Sequence, residues 1–146
     1  MWMKQLMAGR TLIIHTAFIG DIVCSTPLIR RLKERSPESG LDYLTTPAGR
    51  EILKTNPHLG RVITYDKRGS DRGIRGFIRV CRKLRRLQYE TAIIPHRYLR
   101  STLIACFAGI PTKIGFHNSE GRLFLTKSVR YRRGIHEVER LLMLAE

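Results

Sequence analysis

Residues 11–27 read TLIIHTAFIGDIVCSTP, and the reading of this stretch decides the fold. Residues 12–15 make a short, mostly apolar run of the kind that forms a strand buried on both faces of a parallel sheet. Thr16 and Ala17 follow as a small polar turn, and Gly20 and Asp21 stand where a helix should begin. Ile22, Val23, Leu28, Ile29 and Leu32 recur at helical spacing, with Arg30, Arg31, Lys33 and Glu34 on the other side. Strand, tight turn and helix in about 25 residues open a βαβ unit. Ligands of open α/β sheets bind in the crevice at the carboxyl ends of the strands, so Asp21 is expected at that edge, at the amino end of the first helix.

Asp21 has two readings. A carboxylate at a helix amino terminus meets unpaired N–H groups and the positive end of the helix dipole, which favour the ionised form and let it wait as a base. Gly20 before it permits a sharp backbone turn and leaves room for a substrate to approach. The alternative, which the residues alone favour because capping aspartates far outnumber catalytic ones, is that Asp21 is only a helix cap and Gly20 only a turn residue.

The pattern continues in alternation. Residues 36–40 form a loop, 41–45 a second strand, 48–54 a short helix, Asn56-Pro57 a turn and 61–65 a third strand. Pro27 either bends the first helix or marks a late start. Residues 67–86 hold nine basic side chains, and within them Ile74, Phe77, Ile78, Cys81 and Leu84 share one helical face opposite Arg72, Arg75, Arg79, Arg82, Lys83 and Arg86. That basic amphipathic helix is either a solvated cover on the sheet or a contact for anionic headgroups or an acidic acceptor. Residues 91–95 give a fourth strand that runs into His96, Arg97, Tyr98, Leu99, Arg100 and Ser101, before a helix containing Leu103, Ile104, Cys106 and Phe107. Arg97 and Arg100 are expected at the same sheet edge as Asp21, where guanidinium groups suit carboxylate and phosphate; simple capping or snorkelling is the alternative. A fifth strand over 113–116, an extended stretch over 123–131 and a helix over 136–145 complete a doubly wound parallel sheet, with helices on both faces and right-handed crossovers.

Composition sets the outer limits. The 146 residues suffice for one domain, 1–146, with 42% hydrophobic and 27% charged residues as in a soluble globular chain. No stretch approaches a membrane span, and the amino terminus MWMKQLMAGR carries too short an apolar run for a signal peptide, so a cytoplasmic location is expected. Cys24, Cys81 and Cys106 read as reduced core residues, and neither they nor His15, His58, His96, His117 and His136 show metal-ligand spacing. The formal net charge of +15 calls for an anionic partner: nucleic acid, an anionic membrane surface, or a phosphorylated and carboxylated substrate. There is no G-x-G-x-x-G after the first strand and no P-loop, which disfavours a dinucleotide enzyme or an NTPase, and no cofactor is expected.

HTAFIGDIVCSTPLIRRLK, residues 15–33, resembles the opening motif of the lipopolysaccharide heptosyltransferases, glycosyltransferase family 9. Asn56-Pro57, Arg100-Ser101, Lys113-Ile114-Gly115-Phe116 and His136-Glu137-Val138-Glu139-Arg140 continue the likeness in order. The resemblance implies the amino-terminal, acceptor-binding Rossmann-like half of a GT-B enzyme that moves heptose from ADP-heptose to the lipopolysaccharide inner core with inversion. It implies Asp21 as the general base, Thr16 and Gly20 shaping the turn under the substrate, and Lys67, Arg68 and Arg122 beside an acidic acceptor. His15 departs from the Arg or Lys usual after the first strand. The end of the sequence at Glu146 leads to the expectation that the donor-binding domain is absent and that this part alone is inactive. The same charge pattern supports a rival expectation, a basic nucleic-acid or anionic-surface binding module without catalysis. Nucleic acid is the weaker partner, since there is no RNP-like aromatic pair or helix-turn-helix.

Overall fold

The structure is a computed structural model and describes residues 9–146. The terminal stretch judged too short for a signal peptide therefore lies, over residues 1–8, outside the described residues. Six strands form one sheet: β1 (Thr11–Ile14), β2 (Leu41–Thr45), β3 (Val62–Thr64), β4 (Thr91–Ile94), β5 (Thr112–Phe116) and β6 (Lys127–Val129). Their order is β3-β2-β1-β4-β5-β6 and every neighbouring pair is parallel. The chain thus works outward from β1 to one edge, returns to the other side of β1 as β4, and works outward again.

Two cores explain why β1 and β4 lack polar alternation. Leu12 and Ile14 face Leu44, Ala92, Ile94 and the helices α4 (Gly73–Leu87) and α5 (Leu99–Phe107). Ile13 faces the other way, with Tyr43, Ile93 and Ile114, towards α1 (Ile19–Cys24), α2 (Thr26–Arg35), α3 (Pro47–Leu53) and α6 (Glu137–Leu142). All four residues of β1 are buried, as a strand covered on both faces must be. A fully buried Leu or Ile contributes about 1.5–3 kcal/mol, whereas an exposed i,i+4 pair such as Arg30–Glu34 is worth about 0.3–0.5 kcal/mol, so the two cores and not the charged surface hold this fold.

The structure sharpens several sequence expectations. The first helix is two: α1 ends at Cys24, Ser25 breaks the run, and α2 starts with Pro27 in its first turn, where a missing N–H costs nothing. Pro27 therefore marks a new start. On α4 the buried face is Gly76, Val80, Cys81 and Leu84, while Ile74 and Ile78 are exposed, because α5 packs one step around the helix from where the apolar pattern pointed. Gly76 is required: a Cβ there would meet the Asp71 backbone at about 2.0 Å. Of the three free cysteines only Cys81 is buried; Cys24 and Cys106 are half-buried.

At the amino end of the sheet a single carboxylate ties four segments. Asp42, on β2, accepts from Arg10 Nη2 (3.2 Å), the Tyr89 hydroxyl (2.5 Å) and the Arg61 backbone N–H (2.9 Å). Arg10 also stacks over the Tyr89 ring at 5.3 Å and donates to the Leu87 carbonyl. Asp42→Ala leaves a buried phenol and a backbone N–H without their acceptor, at about 1–3 kcal/mol each. The expected loss in urea unfolding free energy is about 3 kcal/mol, against about 1 kcal/mol for Tyr89→Phe, which removes one donor only; equal losses would show that Asp42 acts through Tyr89 alone.

Candidate functional site

The order of the strands puts the reversal of chain direction between β1 and β4, and the segments leaving their carboxyl ends diverge there into a crevice. From β1 come His15, Thr16, Ala17 and Phe18, then α1; from β4 come Pro95, His96, Arg97 and Tyr98, then α5. Asp21 is the third residue of α1, half-buried, in its first turn. It does not cap the helix: the cap position is Phe18, which has no polar side chain to offer. Gly20 is exposed and a Cβ there would meet nothing within 4 Å, so neither packing nor a positive φ requires glycine, and what it contributes is open space beside Asp21.

Lysine and arginine converge on the same crevice. Lys67, in the loop after β3, reaches across to the Thr16 carbonyl at 3.4 Å. Its ammonium is held below its usual range first by partial burial and then by the neighbouring Arg100 and Arg68. Arg100, in the first turn of α5, lies against the Tyr65 phenol at the end of β3. Three cations thus stand together, and among the described residues none of them has an ion-pair partner. Such a group is costly without a counter-anion, and guanidinium forks match carboxylate and phosphate oxygens.

The loop that presents Lys67 and Arg68 is stapled to itself. The Asp66 N–H donates to Asp71 Oδ2 (2.9 Å), the Ser70 N–H to Asp66 Oδ2 (3.3 Å), and the Gly69 and Asp71 N–H groups to the Asp66 carbonyl. Arg79 of α4 closes it by donating to Asp71 Oδ1 and the Ser70 carbonyl, both at 3.2 Å. Arg79 therefore serves the loop rather than the open basic face. Arg97 and Arg122 stand farther out on linked loops: the Arg97 carbonyl accepts from the Glu120 N–H (2.8 Å) and from Ser119 Oγ (3.2 Å), while Arg122 opens a 3-10 turn, Arg122–Phe124. Both are exposed. Glu120 in turn accepts from the Leu99 N–H at the start of α5.

Beneath the cations lie two histidines that sequence reasoning did not connect. His15 is buried and its ring meets His96 edge-on at 5.4 Å. His96 pairs with Ser101 Oγ and meets Tyr98 edge-on at 5.3 Å. Burial, reinforced by His96, holds His15 at a pKa of about 3, and burial, reinforced by Lys67, holds His96 at about 4. Both are neutral at pH 7, so the position where resemblance calls for a cation carries none; the ammonium that reaches this edge is Lys67, from another loop. His15 Nδ1 also bonds the Tyr43 hydroxyl (3.0 Å), which bonds Ser25 Oγ (2.8 Å). No spacing in the sequence marks these partners; only the sheet brings them together. Among the described residues no group of three His, Cys, Asp or Glu could hold a metal ion, and no helix is long and apolar enough to cross a membrane.

The histidine pair makes stability pH-dependent. Each imidazole titrates lower in the fold than in the unfolded chain, where its pKa is near 6.5, so the unfolded state binds more protons in mild acid. The stabilisation is complete above pH 6.5 and is lost as pH falls towards about 4 for His96 and about 3 for His15. Urea unfolding followed between pH 7.5 and 5 should show stability falling below pH 6.5 by up to about 1.4 kcal/mol per pH unit for each histidine, with His96→Asn removing part of that slope; an unchanged slope in the variant would exclude His96 as a source.

Comparison with known proteins adds kinship. The sequence model of glycosyltransferase family 9 (heptosyltransferase) matches residues 77–146. Lipopolysaccharide heptosyltransferase 2 of Escherichia coli K12 is 27% identical over 121 residues, and lipooligosaccharide heptosyltransferase 2 of Haemophilus ducreyi is 30% identical over 122; each alignment takes in 83% of this chain and 34% of the relative. The chain thus spans about a third of the length of those relatives. Among solved structures, a family 9 glycosyl transferase from Veillonella parvula superposes with a TM-score of 0.85 over 92% of this chain and 40% of its own, at 23% identity, which speaks to the fold alone. The E. coli ADP-heptose lps heptosyltransferase II superposes with a TM-score of 0.74 at 26% identity, over 94% of this chain and 40% of its own. The sheet is the Rossmann-like layer of the GT-B glycosyltransferases, and the chain is related in sequence and in fold to the lipopolysaccharide heptosyltransferases of glycosyltransferase family 9.

Proposed function

We propose that residues 1–146 are the amino-terminal, acceptor-binding domain of an inverting heptosyltransferase that moves heptose from ADP-heptose to the lipopolysaccharide inner core, with the donor held by a second domain across the crevice. The observation that carries this reading is one carboxylate, Asp21, half-buried in the first turn of α1 beside the open space at Gly20, with Lys67, Arg68 and Arg100 gathered at the same sheet edge without an acidic partner among the described residues. An acceptor bearing carboxylates and phosphates satisfies those cations and delivers its hydroxyl to Asp21. The hydroxyl oxygen then forms a bond to the anomeric carbon on the face opposite ADP, the bond from that carbon to the diphosphate breaks, and the hydroxyl proton passes to the Asp21 carboxylate. Inversion follows from that single displacement. Thr16 fixes Lys67 through its carbonyl, and Arg97 and Arg122, on the linked outer loops, extend the positive field to more distant acidic groups of the acceptor. The groups that stabilise the departing ADP belong to the second domain, so this domain alone binds acceptor and does not turn over.

The reaction belongs at the cytoplasmic side of an anionic membrane, and α4 supports that placement. Exposed Ile74 and Ile78 stand among Arg75, Arg82, Lys83 and Arg86, an arrangement in which aliphatics enter the headgroup boundary while cations pair with acidic lipids. Duplex nucleic acid rewards the cations and leaves the isoleucines exposed, which is why the membrane surface is the better fit.

In the two-domain protein, Asp21→Asn should cut kcat for heptose transfer by roughly 10²–10⁴-fold with little change in stability, and near-normal turnover would remove Asp21 as the base. Lys67→Ala and Arg100→Ala should raise the KM for acceptor more than they lower kcat, and dephosphorylated acceptor should lose most of that difference; equal effects on both substrates would refute an acceptor role. Co-sedimentation with vesicles containing phosphatidylglycerol should fall for Ile74→Ser/Ile78→Ser at constant charge. If the double variant sediments as before while duplex DNA competes the chain off the vesicles, α4 is a polyanion face and not a membrane-docking one.

A further inference from the structure

The weakest element in the crevice carries the most important side chain. α1 is six residues long, has no side-chain cap at its amino end, and presents Phe18, Ile19 and Val23 to solvent. A helix of that length does not persist on its own, since nucleation fixes several residues for each bond gained. Something outside it sets its register, and the buried contacts identify what.

Ser25, directly after α1, is fully buried and holds the helix from its carboxyl end. Its N–H donates to the carbonyls of both Asp21 and Ile22 at 3.1 Å, and its hydroxyl donates to the Ile22 carbonyl at 2.6 Å. Ser25 is held in turn by the Tyr43 hydroxyl at 2.8 Å, and Tyr43 is anchored in β2, next to β1, with no exposed surface. The Tyr43 hydroxyl then meets His15 Nδ1 at 3.0 Å. The direction of this chain follows from counting hydrogens. A carbonyl only accepts, so the Ser25 hydrogen lies on the Ile22 bond; Ser25 Oγ must accept from Tyr43; the Tyr43 oxygen must then accept from His15, which therefore carries its hydrogen on Nδ1. No other ordering places one hydrogen in each of the three contacts.

We infer that His15, Tyr43 and Ser25 form a one-way hydrogen-bonded strut that transfers the rigidity of the central sheet to α1 and sets the position of Asp21. The inference rests on Asp21 acting as the base. Tyr43 and Ser25 make no hydrogen bond to the Asp21 carboxylate and are positioning residues: the Ser25 N–H holds the Asp21 carbonyl, its hydroxyl holds the Ile22 carbonyl and Tyr43 holds that hydroxyl, so the carboxylate is aimed by the sheet as well as by the short helix. A displacement of about 1 Å at a reacting group can cost about 100-fold in rate, which is ample reason for a buried support.

Long-range proton–nitrogen correlation spectra of the 146-residue chain should show His15 as the Nδ1–H tautomer between pH 6 and 8, and the Nε2–H tautomer overturns the strut outright. Tyr43→Phe and Ser25→Ala should each speed amide exchange at position 25 and lower kcat in the two-domain protein by about tenfold to 100-fold with the donor KM unchanged, while Ser25→Thr, which keeps a hydroxyl, should retain most of the rate. Unaltered kcat in both Tyr43→Phe and Ser25→Ala overturns the positioning role. If Asp21→Asn proves fully active, the base assignment falls while the tautomer and exchange results still report whether the strut exists.

Discussion

All six strands run the same way, and that constraint governs everything at the functional end of the molecule. Parallel neighbours cannot be joined by hairpins, so each strand must hand over at its carboxyl end to a loop and a returning helix. Five hand-overs therefore crowd one edge, and the reversal between β1 and β4 opens that edge where the most central strands end. Asp21 and Thr16, Lys67, and His96 and Arg100 come from three different hand-overs, which no local rule brings together.

The edge is built in two tiers of opposite character. Above are the cations, with Lys67, Arg68 and Arg100 close enough to depress the Lys67 ammonium. Below is a neutral polar tier, His15, Tyr43, Ser25, His96 and Ser101, bonded in chains that need no charge. Burying another cation under the first three would add like-charge repulsion to desolvation; a neutral histidine avoids both while still bonding. The lower tier gives rigidity and the upper one gives attraction.

The opposite edge shows how the same chemistry serves stability instead. Asp42 meets Arg10, Tyr89 and the Arg61 backbone and is fully used by them. Asp21, half-buried, accepts no side-chain hydrogen bond at its carboxylate among the described residues, and Gly20 beside it borders open space. One carboxylate is consumed by the fold and the other is not, and that difference in hydrogen bonding, rather than residue type, sets the two positions apart.

Much of this was legible in the chain itself. The apolar runs over residues 12–15 and 91–95, the short strand between them over 41–45 and the amphipathic segments around them pointed to a parallel α/β sheet, because strands covered on both faces are mostly apolar and helices covered on one are not. Asp21 and the basic clusters could be named from position along the chain. What only the tertiary structure decided was which face of α4 is buried, since that depends on where α5 lands, and which polar residues meet across the sheet. His15 and Tyr43 are 28 residues apart, Ser25 and Tyr43 are 18 apart, and Lys67 reaches Thr16 over 51. Periodicity reports the environment of a residue along its own element, whereas a hydrogen bond between elements depends on register and on how far a side chain reaches, and these exist only once the sheet has assembled.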